Sequence, residues 1–154
     1  MRGLEEGMAK VLVTAIAVCM CFFNLVAEVN STHVWNPTIE PHARFHIVWQ
    51  LASNCSLAIL ALVLLWQKKS RSSSLSGSDL RWSVTLLLVE PLGFLFAAAC
   101  RTWYGGTYFP ANVPEYDITL VGIPVALLVF GAFSVALLLI AYLGTPSAGR
   151  SRSL

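Results

Sequence analysis

The chain reads as an all-α integral membrane protein, a four-helix bundle with both termini in the cytoplasm. Three observations predict this. The composition is 56% hydrophobic and 12% charged, with a mean hydropathy of +0.70, outside the range of an ordinary soluble domain. Four apolar runs are each long enough to cross a hydrocarbon layer about 30 Å thick, which takes roughly 20 helical residues. Eight of the ten lysines and arginines fall in segments that alternate topology places on one side.

The runs are 8–29, 42–66, 82–103 and 118–143. At this length only helices satisfy every backbone group in lipid; barrel strands would be near ten residues and alternating. The first run is an uncleaved anchor rather than a signal peptide, since Glu5 and Glu6 sit where a positive n-region belongs and no A-x-A site follows. Arg2, Lys10, Lys68, Lys69, Arg71, Arg81, Arg150 and Arg152 lie on one side and only Arg44 and Arg101 on the other, which assigns the termini and the 67–81 loop to the cytoplasm. That loop is Ser-rich and 144–154 reads as a disordered tail. Residues 1–143 then form one membrane domain, with no room for a second and no internal repeat. The net charge of +2 is a topology signal. No basic stripe interleaved with aromatics points to nucleic acid, and the partner the sequence demands is the lipid bilayer of a multi-pass protein, the cytoplasmic or plasma membrane.

The cysteines do not form a disulfide framework. Cys19 and Cys21 fall in the first run, Cys55 in the second and Cys100 near the outer end of the third. Without a Cys-x-x-Cys pair, quinone-linked thiol oxidation of the vitamin-K-epoxide-reductase type loses its main support, and buried apolar thiols are the simpler reading. Asn30-Ser31-Thr32 is a glycosylation sequon on the outer side, relevant only in a host that glycosylates.

Polar groups inside a span are expensive and mark function. Helical spacing groups them into stripes: Ala17, Cys21, Asn24 and Glu28 on the first helix, His42, His46, Gln50, Ser53 and Asn54 on the second, Glu90, Gly93, Ala97 and Cys100/Arg101 on the third. The fourth has no ionisable residue; Gly122 and Ala126 read as a helix-contact surface and Pro124 as a kink. Counting from the outer ends, Glu28, His42, His46, Asn24 and Arg101 lie within a turn or two of the interface, and Asn54 and Glu90 about 18–20 Å down. Turning the three stripes inward makes an outward-opening polar shaft that ends at Glu90. A carboxyl there is protonated or paired, with Asn54 and Gln50 as the expected partners. Loops 30–41 and 101–117 cap the same end, the second with Trp103, Tyr104, Tyr108 and Phe109 around a Gly-Gly hinge that reads as an aromatic belt or a lid.

Thr32-His33-Val34-Trp35-Asn36-Pro37, followed by Pro41-His42-Ala43-Arg44-Phe45-His46, resembles the signature of a family of small, uncharacterised four-span membrane proteins in which a T-H-x-x-N-P-x-W-P-P-H-A-R-F-H loop joins the first two spans. This chain departs from it at Ile39 and Glu40. The resemblance covers about fifteen residues and the four-span layout; it implies the fold and singles out His33, Asn36, His42, Arg44 and His46, but brings no activity. Arg44-Phe45-His46 also echoes the Arg-x-x-His stretch of the membrane-bound glutathione transferase and eicosanoid family. The Asn and Glu expected after that His are absent here, and the charge bias puts the loop on the opposite side of the membrane.

The candidate ligand-binding residues are therefore Asn24, Glu28, His33, Asn36, His42, Arg44, His46, Gln50, Asn54, Glu90 and Arg101. His42 and His46, four apart on one helix face, suit a metal, with His33 or Glu28 as third ligand; three histidines spread over a loop and one helix match no established metal spacing, so no metal is assigned and hydrogen-bonded structural histidines are preferred. Arg44 either grips an anionic head group or carboxylate, or serves as an interfacial anchor or the ion-pair partner of Glu28 or Glu40. Glu90 is a proton or cation site, a general acid/base, or a hydrogen-bonded tie between helices. No nucleophile motif or phosphate loop is present and no cofactor is indicated. The preferred reading is a protein that binds or transports a small amphiphile or cation. The alternative is a small membrane enzyme acting on a lipid-like substrate, with His42 or His46 as acid/base, Arg44 holding an acidic group and Glu28 orienting a histidine. A structural subunit is the third reading. Four short spans seldom enclose a full pathway, so a homo-oligomer through the fourth helix is expected.

Overall fold

The computed structural model describes residues 6–67, 77–108 and 118–144. The expected Ser-rich connector falls largely, and the expected tail almost wholly, outside them. Four helices long and apolar enough to cross a membrane make up most of the described chain, which makes this a multi-pass membrane protein. They are α1 (Glu6–Glu28), α2 (Pro41–Trp66), α3 (Gly77–Cys100) and α4 (Val125–Gly144), with a 3₁₀ turn at Arg101–Trp103 and a two-stranded hairpin, β1 (Thr119–Leu120) and β2 (Ile123–Pro124), before α4.

Local chemistry sets the ends. Pro41 opens α2, where its missing N–H costs nothing, and the Glu40 carboxylate accepts from Ala43 N at 3.3 Å. Two boundaries differ from the sequence expectation. α3 starts at Gly77 rather than Trp82, because the polar turn Ser78–Arg81 continues the helix past its apolar run. α4 starts at Val125 rather than 118: Leu120 and Ile123 pair across a two-residue turn in which Val121 (φ 53°) and Gly122 (φ 75°) are both left-handed, as a type I′ hairpin requires. Gly122 is thus a turn residue, not part of a helix-contact surface, and Pro124 lies in β2 instead of kinking α4.

α3 is the central helix, packing on α2 and α4, while α1 packs on α2 and α4. The core is concentrated toward the end that carries the termini. There Ala9, Val13, Ala17 and Met20 of α1 meet Ala58, Ala61 and Leu65 of α2, Leu80, Val84 and Leu87 of α3, and Leu137 and Ile140 of α4. Ser83 Oγ, buried within it, reaches the Ala61 carbonyl at 2.9 Å, and Trp66 Nε1 donates to Thr14 Oγ1 at 3.0 Å. Toward the end that carries the 29–40 loop α2 is less covered: no residue from Pro41 to Leu57 is buried, and Arg44, Ile47, Leu51, Asn54 and Cys55, partly buried at helical spacing, mark its inward face. Exposed tryptophans ring both ends, Trp66 and Trp82 at one, Trp35, Trp49 and Trp103 at the other, as side chains that sit at headgroup level do.

Candidate functional site

The inward face of α1 runs Ala9, Val13, Ala17, Met20, Asn24, at intervals of three or four. Its last member is the amide that closes the top of the core. Asn24 is only 8% exposed. Its Nδ2 donates to the carbonyl of Met20 at 3.0 Å and also to Glu90 Oε1 on α3, so both amide protons are used and one of them ties two helices. Glu90 is half-buried. Pro91 follows it, fully buried, and lacks the N–H that would bond the Leu87 carbonyl one turn back. The thiols of Cys21 on α1 and Cys55 on α2 contact each other beside the same carboxyl.

The pair lies about 22 Å along α1 from Ala9 and about 15 Å along α3 from Leu80, two residues that share the core near the termini. The sequence-based depths placed Asn24 near the interface and Glu90 far below it. Their hydrogen bond sets them at one level, because α1 ends four residues past Asn24 whereas α3 continues ten past Glu90. The partner of Glu90 is Asn24, where the sequence had suggested Asn54 or Gln50. Asn54 is half-buried and Gln50 is exposed.

The second stripe turns the other way. His42, His46, Gln50 and Ser53 are all exposed, on the side of α2 away from its partly buried Arg44, Ile47, Leu51 and Asn54. They do not join Asn24 and Glu90, so the three stripes do not line one shaft. His42 Nε2 and His46 Nε2 are 3.0 Å apart, and the His46 ring sits against Phe45 and Trp49, at 5.9 and 5.8 Å between centroids.

The loop residues form a third, separate unit, an internally bonded knot. Asn30 Nδ2 donates to the carbonyls of Val26 and Ala27, both at 2.8 Å, closing the C-terminus of α1; its Oδ1 accepts from Thr32 N and Oγ1 at 2.8 and 2.6 Å. Asn36 repeats the device, accepting from Thr38 N at 3.0 Å and Thr38 Oγ1 at 2.8 Å while its Nδ2 donates to the Thr32 carbonyl at 3.1 Å. Arg44 Nη2 donates to the carbonyls of Asn36 and Ile39 at 2.9 and 3.2 Å. Of the roles considered for Arg44, the ion pair with Glu28 or Glu40 gives way to these backbone acceptors. His33 Nδ1 lies 2.8 Å from Thr32 Oγ1, and Glu28 is its electrostatic neighbour. The sequon's Asn30 amide is spent on helix carbonyls. Arg101 donates to the Ala98 carbonyl at 3.1 Å and stacks over Tyr108 at 4.8 Å from the ring centroid.

Thr32 and Thr38 were missed, although two Asn-x-Thr triplets six residues apart, 30–32 and 36–38, carry the signal for paired Asx turns. Among the described residues no group of three His, Cys, Asp or Glu side chains could share a metal ion. No known protein family, curated protein or solved structure matches the chain.

Proposed function

We propose that this protein is a membrane component that takes up a proton or a small apolar cation at Glu90, reached from the end of the bundle that carries the 29–40 loop. The observation that supports the reading most is the Asn24–Glu90 hydrogen bond between two apolar helices, at the level where the packed core ends. A charged carboxylate at that depth is costly, and a proton or a counter-cation relieves the cost; Asn24 holds the carboxyl in place for either. Polarizable sulfur from Cys21, the electrostatic neighbour of Glu90, suits a delocalised organic cation better than a small hydrated ion.

The charge bias puts that opening on the extracytoplasmic face, with the cytoplasmic or plasma membrane as the location. The string Thr32–His46 that resembles a four-span family supplies, on this reading, the self-bonded knot that fixes the loop rather than the ligand contacts. Homo-oligomerisation through α4 belongs to the same proposal. Leu128, Gly131, Val135, Leu138 and Tyr142 follow one another at helical spacing on α4, and a methyl group built on Gly131 meets nothing within 4 Å, which leaves room for a second helix to approach closely.

The test is equilibrium binding of tetraphenylphosphonium to the purified protein in nanodiscs. Wild type binds saturably, Glu90→Gln weakens binding at least tenfold, and Arg44→Lys leaves it unchanged. Equal binding by wild type and Glu90→Gln removes the proposal.

A further inference from the structure

We propose that His42 and His46 form a two-imidazole chelate for a tetragonal divalent transition-metal ion, Cu²⁺ before Ni²⁺, on the exposed first turns of α2. The site is separate from Glu90 and does not rest on the reading given to it. Both rings are exposed, four residues apart, and their Nε2 atoms are 3.0 Å apart with the ring planes at 85°. The two Nε2 atoms thus face each other in solvent reach, close enough for one ion to bridge them once both present a lone pair.

The separation selects the geometry. With metal–nitrogen bonds of about 2.0–2.1 Å, nitrogens 3.0 Å apart subtend about 91–97° at the metal, the angle of adjacent positions in a square-planar or tetragonal ion. Tetrahedral zinc would hold the same two atoms about 3.3 Å apart. Nitrogen donors in a tetragonal arrangement favour Cu²⁺ and Ni²⁺, and Cu²⁺ stands highest in the general affinity order.

The pair is also held in place. Pro41 and the Glu40 cap fix the helix start one residue before His42, and Phe45 and Trp49 flank the His46 ring. Without metal, one Nε2–H donates to the other Nε2, and that proton takes up the lone pair that an ion would need. Binding moves it to Nδ1 of the same ring, so both imidazoles remain neutral, both Nε2 lone pairs face the metal, and no proton is lost from a neutral pair. Two protein nitrogens leave the other positions of the ion to water or a small anion from solution. The chelate therefore captures and exchanges metal at the membrane surface.

The experiment is Cu²⁺ titration of the full chain in nanodiscs against glycine as competitor, with pulsed electron paramagnetic resonance reading the remote imidazole nitrogens. Wild type holds one Cu²⁺ per chain with modulation from two imidazoles. His42→Ala and His46→Ala each lower affinity at least tenfold and leave a one-imidazole signal, while His33→Ala and Glu90→Gln change neither. A His42→Ala/His46→Ala double variant with wild-type affinity overturns the proposal. So does a wild-type spectrum with fewer than two imidazoles, or a loss on His33→Ala equal to that of His46→Ala.

Discussion

Removing the Asn24 side chain tests whether a hydrogen bond between α1 and α3 is formed in the membrane. Asn24→Ala deletes two bonds, but the one to the Met20 carbonyl is internal to α1 and cannot tie helices together. Only the bond to Glu90 is shared between elements. Interhelical polar contacts in membrane proteins average about 0.6 kcal/mol and reach about 1.7 kcal/mol, because the separated helices find other partners in lipid. The cycle of Asn24→Ala, Glu90→Ala and the double variant should therefore return a coupling of about 0.6–1.7 kcal/mol, at the upper end since the acceptor is a carboxyl. Glu90→Gln keeps an oxygen for Asn24 and should cost less than about 0.5 kcal/mol. The assay is reversible unfolding in mixed detergent micelles followed by tryptophan fluorescence. A coupling within about 0.3 kcal/mol of zero, the ordinary error of additivity, or Glu90→Gln as damaging as Glu90→Ala, would refute the reasoning.

Three further outcomes follow from the same structure. Asn36→Ala, at a side chain 4% exposed, removes three loop hydrogen bonds and should cost about 2–3 kcal/mol, read in the same unfolding assay and as faster amide exchange at Thr32 and Thr38; unchanged exchange contradicts the knot. Val121→Asn should stabilise the protein by about 1 kcal/mol, because a β-branched residue at φ 53° is strained and Asn is favoured in that turn position; a lower unfolding midpoint would show that the turn is not type I′. For the oligomer, Val135→Cys in a Cys19→Ser background should crosslink to dimer in native membranes whereas Leu137→Cys, fully buried within one chain, should not. Monomer from both variants argues against the α4 interface.

Much of the fold is written in the sequence because lipid imposes one simple demand, a helical apolar run of about 20 residues. The boundaries were legible where a polar signal stands, as at Glu40-Pro41. They were not at 118–124, where Ile118, Leu120, Val121 and Ile123 are as apolar as the helix that follows, and only Gly122 and Pro124 hint at a hairpin. The inward stripe of α1 was legible in part: Ala17 and Asn24 are buried on it as read, whereas Met20 is buried in place of Cys21 and Glu28 is only half-buried. The direction of the α2 stripe was not. A helix in lipid has apolar surroundings on every side, so hydrophobic periodicity says which residues share a face and leaves open what that face meets. His42, His46 and Gln50 share a face as expected, and it looks away from Glu90. The partner of Glu90 escaped for a different reason: depths were counted from helix ends taken as level, whereas α3 extends about 9 Å further beyond the Asn24–Glu90 contact than α1 does.

On the proposed function, Glu90, lodged among apolar helices, exchanges its proton for a cation, and covalent labelling reads that state directly. Dicyclohexylcarbodiimide, which enters lipid and reacts with protonated carboxyls, should modify Glu90 in native membranes, mapped by peptide mass spectrometry, and tetraphenylphosphonium should protect it. A water-soluble carbodiimide should leave Glu90 untouched. An unmodified Glu90, or labelling that the cation does not slow, would contradict it.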